Sequence, residues 1–233
     1  MKNIVITGGT RGIGLATVQI FAAGGYNISF CARNYIMVEK LVEELRESYP
    51  NQTFFGFSAD ITVKEELQLF AKKIIEKFEH IHLLINNAGM FEPGGISTEE
   101  EGVFERQIAT NVAAAYHLTR AILPVMQNNE GNIINIGSTA SFTPYVNGGS
   151  YCISKFALLG FSKVLREELK PRGIRVTSVL PGATLTDSWE GTILPQSRFM
   201  QATHVARALW DVHHLPATTV VEELVMRPMQ GDI

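Results

Sequence analysis

Lys2-Asn3-Ile4-Val5-Ile6-Thr7-Gly8-Gly9-Thr10-Arg11-Gly12-Ile13-Gly14 decides how this chain folds. Its apolar half reads as a strand. Directly after Gly14, the residues Leu15, Val18, Ile20 and Phe21 follow an amphipathic helical pattern. Glycines between a first strand and a first helix let backbone N–H groups and the helix N-terminus approach a pyrophosphate. The stretch therefore predicts a dinucleotide site on an α/β framework.

The rest of the chain repeats the alternation. Strands are expected at Tyr26–Cys31, Thr53–Ser58, Ile81–Asn86, Ile133–Ile136, Ile174–Leu180 and Val220–Met226. Helices are expected at Tyr35–Ser48, from a capping box at Thr62-x-x-Glu65, and from a second box at Ser97-x-x-Glu100 to about Gln127. Two more run from Ser150 to Lys170 and from Thr203 to His213. Strands separated by helices of this length imply a parallel sheet with right-handed crossovers. Ligands then bind beyond the carboxyl ends of the strands, and Gly8, Asn86, Ser138 and Pro181 all fall at or near such ends.

One of those ends leads into chemistry. Between Ser138 and Lys155 the chain reads STASFTPYVNGGSYCISK. Tyr151 and Lys155 are four apart, so a helix brings them to one face. A free phenol, with a pKa near ~10, is a poor acid or base at neutral pH. A lysine cation nearby is expected to favour phenolate and bring that value down. The Ser138 hydroxyl can donate to a carbonyl oxygen that becomes an alkoxide. The three together suit proton transfer at an alcohol oxygen. Taken alone, Tyr-x-x-x-Lys is also a common pair on helix surfaces.

The motifs Thr7-Gly8-x-x-x-Gly12-Ile13-Gly14, Asn86-Asn87-Ala88-Gly89, Asn111, Ser138, Tyr151, Lys155 and Pro181-Gly182 occur in this order. By this set the chain resembles the short-chain dehydrogenases/reductases over residues 2 to about 186, most closely the carbonyl reductases and 3-oxoacyl-carrier-protein reductases. The resemblance implies a Rossmann-type doubly wound parallel sheet of about seven strands with helices on both faces. It implies one dinucleotide-binding catalytic domain over 1–233, with a short variable substrate cap near 187–200. It also implies a catalytic set of Asn111, Ser138, Tyr151 and Lys155, with Asn111 holding a water chain behind the lysine. Cofactor contacts are implied for Gly8, Thr10, Arg11, Gly12, Ile13, Gly14, Arg33, Asp60, Asn87, Tyr151, Lys155, Pro181, Gly182, Thr184 and Thr186. In the family the Asp60 position binds the adenine amino group; spacing alone fits a turn or cap aspartate equally well. Asn87 reads as mainly structural, and Thr186 as a holder of the nicotinamide carboxamide. Trp189, Ile193, Leu194 and Phe199 can close over a ligand or pack as a loop on themselves. The tail lacks the glycine-rich closing segment common in the acyl reductases.

Composition narrows the function. The 233 residues suffice for one α/β domain with a full core. They leave no room after residue 190 for the substrate domain of the extended relatives that act on nucleotide sugars. Lys and Arg total 20 against 23 Asp and Glu, so no strong field recruits nucleic acid or a membrane. No apolar run approaches the ~20 residues of a membrane helix. Met1-Lys2-Asn3 leads straight into a strand, and Cys31 and Cys152 suggest no disulfide framework. A reduced cytoplasmic protein is expected. The pairs His213-His214 and His80-x-His82 lack companion ligands at metal spacing, so no metal site is expected.

The expected activity is NADP-dependent hydride transfer between nicotinamide and a ketone, aldehyde or secondary alcohol, with Tyr151 as general acid/base. A non-catalytic NADP-binding regulator or sensor is the alternative from another class; an epimerase or dehydratase using the same pair is the alternative among enzymes. NADPH is expected over NADH. The end of the second strand, Phe30-Cys31-Ala32-Arg33-Asn34, has no acid before Glu39, while Arg33 and Arg11 can bind a 2′-phosphate. Both arginines fit a solvated surface as well. Apolar residues on more than one face of the helices near Ala113–Tyr116 and Phe156–Phe161 predict a homodimer or homotetramer.

Overall fold

The computed structural model describes all 233 residues. The apolar runs form β1 (Asn3–Thr7), β2 (Asn27–Ala32), β3 (Phe54–Ser58), β4 (Leu83–Asn86), β5 (Asn132–Ile136), β6 (Arg175–Pro181) and, near the C-terminus, β9 (Glu223–Met226). They make one seven-stranded sheet in the order β3-β2-β1-β4-β5-β6-β9, parallel at every pairing. A two-residue ribbon, β7 (Thr184–Leu185) with β8 (Met200–Gln201), stands apart from it. This is the Rossmann-type doubly wound sheet that the sequence predicts.

Each face of the sheet is covered, as near-continuous apolar strands require. On one face α1 (Gly12–Ala23), α2 (Tyr35–Ser48) and α7 (Ala202–His213) bury Val18, Phe21, Val38, Leu41, Val205 and Leu209 against the strands. On the other, α3 (Lys64–Lys77), α5 (Ala114–Ile122) and α6 (Gly149–Leu169) bury Leu67, Phe70, Ile74, Leu118, Ile122 and Leu165. The chain leaves β1 toward one edge and resumes at β4 toward the other. That reversal opens a crevice at the carboxyl ends of β1 and β4.

Two expected helix starts are corrected. At Thr62 no capping box forms: its hydroxyl and N–H both donate to Asp60 Oδ1, at 2.7 and 2.9 Å, and α3 begins at Lys64 after an uncapped Val63. At Ser97 no helix starts either. The chain turns through 92–102, Gly102 takes a φ of 86°, and α4 (Val103–Ile108) begins only there. The expected single helix to Gln127 is also interrupted. Between α4 and α5 lies a π-helical turn, Ala109–Ala113, and a 3₁₀ turn closes the run at Leu123–Val125. π-Bulges concentrate at functional sites because the extra residue re-aims a side chain. Here the turn contains Asn111.

Candidate active site

β5 ends at Ile136, and Ser138 caps the short 3₁₀ turn Thr139–Ser141 that follows, its hydroxyl accepting from the Ala140 N–H at 3.1 Å. The chain then loops to α6, whose first two turns carry Tyr151 and Lys155. Lys155 is only 5 % exposed. Its Nζ donates to the Ile136 carbonyl at 3.1 Å and lies 5.7 Å from the centre of the Tyr151 ring. The Ser138 hydroxyl lies beside the Tyr151 phenol, close enough to favour phenolate. Asn111 sits behind them. Its amide donates to Ser154 Oγ at 2.9 Å and to the Met90 carbonyl at 3.0 Å, while Oδ1 accepts from the Met90 N–H at 2.8 Å. A Cβ on Gly89 would come within 3.2 Å of Asn111 Oδ1 and 3.4 Å of Lys155 Nζ, so glycine there lets the two groups share one space.

Burial sets the electrostatics. It pushes the Tyr151 phenol above its usual value, with Ser138 pulling the other way and Cys152 adding to the rise. The polypeptide alone thus does not bring this phenol down: the loss of water on burial outweighs the pull of Ser138. Burial also pushes the Lys155 ammonium down to about 8.

The glycine loop lies at the neighbouring strand end. A Cβ on Gly14 would come 1.9 Å from the Gly8 carbonyl oxygen, and Gly12 has a φ of 54°, so the turn is restricted to glycine at both positions. No side chain caps the N-terminus of α1. Its first N–H groups are thereby left for an anion, and the loop fits a pyrophosphate. Thr10 is buried, and Ile13 packs on the core. Asn87 holds the loop from beneath, donating to the carbonyls of Thr7 at 2.9 Å and Gly8 at 3.2 Å. Pro181 and Gly182 end β6, Thr184 bonds the Gly182 carbonyl, and Thr186 lies against Gly12. Arg33 is exposed at the end of β2. Asp60 is tied to Thr62, and these bonds, with the Arg33 charge, hold its carboxyl below the usual range against the opposing effect of burial. Arg11 pairs with Asp187 at 3.0 Å.

Two contacts escape the sequence. Glu99 reaches across to the start of α6, where Oε1 accepts the Ser150 N–H at 2.7 Å and Oε2 accepts its hydroxyl. It thereby caps the helix one residue before Tyr151. Phe91 packs edge-on against the Tyr151 ring, with centroids 4.9 Å apart. Acids clustered at 99–101 announce a helix start locally, and nothing in the pattern points 51 residues ahead. The cap region forms short 3₁₀ turns at Asp187–Trp189 and Gln196–Arg198, and Trp189 packs on Phe199 with ring centroids 4.9 Å apart. An open groove of about 450 Å³ runs along Leu185, Thr186, Asp187, Trp189 and Glu190; none of Ser138, Tyr151 or Lys155 lines it.

Fold and site together define a doubly wound nucleotide-binding framework with a Tyr–Lys pair beside its switch point. The sequence model of the short chain dehydrogenase family matches residues 2–194. A sepiapterin reductase of Chlorobaculum tepidum is 31 % identical over 100 % of this chain and 99 % of its own. A 3-oxoacyl-acyl-carrier-protein reductase of Haemophilus influenzae is 32 % identical over 89 % of this chain and 88 % of its own. Among solved structures, an alcohol dehydrogenase from Thermococcus sibiricus complexed with 5-hydroxy-NADP superposes with a TM-score of 0.92, at 27 % identity, covering 98 % of this chain and 97 % of that one. A short chain dehydrogenase from Burkholderia cenocepacia in complex with NADP gives 0.89 at 25 % identity, covering 97 % and 96 %. The chain belongs to the short-chain dehydrogenase family, whose members are oxidoreductases acting on CH–OH or carbonyl groups.

The buried ammonium has a cost that can be measured. Folded Lys155 releases its proton near about 8, whereas an unfolded lysine holds it to ~10.4. Below pH 8 both states carry the proton, so the folded protein bears the full penalty of burying charge. As pH rises from 8 toward ~10.4 the folded state sheds the proton first, and stability rises. The stability of Lys155→Met relative to wild type should therefore be greater at pH 7 than at pH 10 by about 2 kcal/mol, the lost bond to the Ile136 carbonyl weighing equally at both. Urea unfolding at both pH values checks this; a difference that does not change with pH would contradict it.

Proposed function

We propose that the protein is an NADP-dependent oxidoreductase that reduces a ketone or aldehyde, or oxidises the corresponding secondary alcohol. The observation that carries this reading is the convergence of Ser138, Tyr151 and Lys155 at the end of β5, beside the glycine loop. A dinucleotide sensor needs the loop and has no use for a buried acid–base pair. The bound dinucleotide supplies the hydride; the protein orients it and handles the proton. In reduction, Ser138 donates to the carbonyl oxygen and Tyr151 gives that oxygen its proton as charge develops. Lys155 holds an ammonium where it stabilises the phenolate left behind and can reach the ribose hydroxyls. Asn111 fixes the Met90 and Ser154 groups behind the lysine, on the route by which solvent returns the proton. In this reading Thr186 would hold the carboxamide, Thr10 and Ile13 would meet the pyrophosphate, and Asp60 the adenine. The exposed rings of Phe91, Phe142 and Tyr145 give the substrate an apolar approach. The names of the relatives, reductases and dehydrogenases of small molecules, support the same class.

Tyr151→Phe keeps the ring and deletes the proton. Turnover of a carbonyl panel should fall by ~10²- to 10⁴-fold while NADPH still binds. Near-normal turnover would remove Tyr151 from the mechanism.

The reading includes a preference for NADPH. Arg33 is exposed and forms no salt bridge, the Asp60 carboxylate only feeling its charge, so its planar fork is available to a 2′-phosphate. Its replacement by alanine should lower kcat/KM for NADPH strongly and for NADH little. Equal use of both cofactors by the wild type would end this part of the reading.

The exposed Phe104, Tyr116, Ile153, Phe156 and Val164 on α4, α5 and α6 support assembly into a homodimer or homotetramer. Light scattering at micromolar concentration should give two or four times the chain mass of 25.8 kDa; a monomer would refute the assembly.

A further inference from the structure

Arg11 stands on the glycine loop, where the reading above gives it to a 2′-phosphate, yet its guanidinium is already engaged. Nη1 lies 3.0 Å from Asp187 Oδ2, a carboxylate 176 residues away in sequence. Asp187 begins the cap. It follows Thr186, whose Cγ2 would lie 3.2 Å from a Cβ built on Gly12, and it precedes Trp189, which anchors the cap on Phe199. The contact thus joins the cofactor loop to the cap through one ion pair. Both partners are more than half exposed, at 59 % and 54 %, so the pair is weak and exchangeable.

A 2′-phosphate carries close to two negative charges at neutral pH and three acceptor oxygens, and it competes well for a guanidinium held by one carboxylate. A carboxylate remaining within a few ångströms of that phosphate repels it. We infer that Asp187 is a specificity-determining residue: its carboxylate holds Arg11 until a 2′-phosphate takes the guanidinium, so that recognition of the phosphate and release of the Asp187 end of the cap are a single exchange. A dinucleotide without the phosphate leaves the pair intact and the cap tied to the loop. Asp187 moderates the affinity for phosphate and couples that affinity to the wall of the groove at Leu185–Glu190. The inference rests on the assignment of Arg11 to the 2′-phosphate.

Calorimetric titration with adenosine 2′,5′-bisphosphate and with adenosine 5′-monophosphate tests it, using wild type, Asp187→Asn, Arg11→Ala and the double variant. Asp187→Asn should tighten the bisphosphate about three- to tenfold and leave the monophosphate unchanged, and the gain should vanish when Arg11 is alanine. Trp189 gives a second readout, since only one other tryptophan, Trp210 on α7, is present. The bisphosphate should change cap emission in wild type and not in Asp187→Asn, where the cap is already released. If Arg11→Ala weakens the bisphosphate while Asp187→Asn changes nothing, the exchange is wrong and the Arg11 assignment stands. If Arg11→Ala leaves bisphosphate affinity untouched, the assignment itself is wrong and the exchange falls with it.

Discussion

A lysine ammonium held out of water one helical turn from a phenol is the constraint around which this molecule is arranged. Burying a charge is tolerated only where neighbours replace part of the lost hydration. For Lys155 the replacement is the Ile136 carbonyl, presented by the free end of β5. That carbonyl belongs to the last residue of β5, just before the chain makes a final bond to β6 from the Gly137 N–H to the Val179 carbonyl, at 2.8 Å, and turns at Ser138. Gly89 leaves the space, and the π-turn brings Asn111 to its edge. The glycines, the bend and the bulge are thus parts of one requirement, a cation kept dry where a proton must move.

A parallel sheet supplies the place. Its strand ends point the same way, so residues far apart in sequence gather on one rim. Gly8, Gly89, Ser138 and Gly182 follow β1, β4, β5 and β6 respectively, all on that rim. The polar ties that hold the rim are short and local to it. Asn87 bonds the Thr7 and Gly8 carbonyls, and deeper in the sheet Asn86, Asn135 and Ser162 form a buried chain between β4, β5 and α6. The stability of the rim therefore resides in groups that do no chemistry.

Much of this was legible in the sequence, for a physical reason. The strands are buried on both faces and appear as apolar runs. Tyr151 and Lys155 lie four apart on one helix, and the glycine loop is contiguous. What was not legible depends on contacts between distant residues. Thr62-x-x-Glu65 and Ser97-x-x-Glu100 fit the local rule for a helix start, but Thr62 is engaged by Asp60, and the acidic stretch sends Glu99 to Ser150. The π-turn has no local signature in Ala109–Ala113. Proximity of Tyr151 to Lys155 is readable from spacing, whereas the depth of burial that raises the phenol is not. The Arg11–Asp187 pair belongs to the same class of contact.

The account depends most on Lys155 being a buried group that titrates close to neutrality. With lysine labelled at the ε-carbon, and its resonance assigned by loss in Lys155→Met, NMR reads that titration directly. A midpoint near about 8, well below an ordinary lysine, is the expected result. A midpoint at or above ~10.4 would show that burial does not destabilise this ammonium, and the claim that Lys155 is a charge kept dry would not stand.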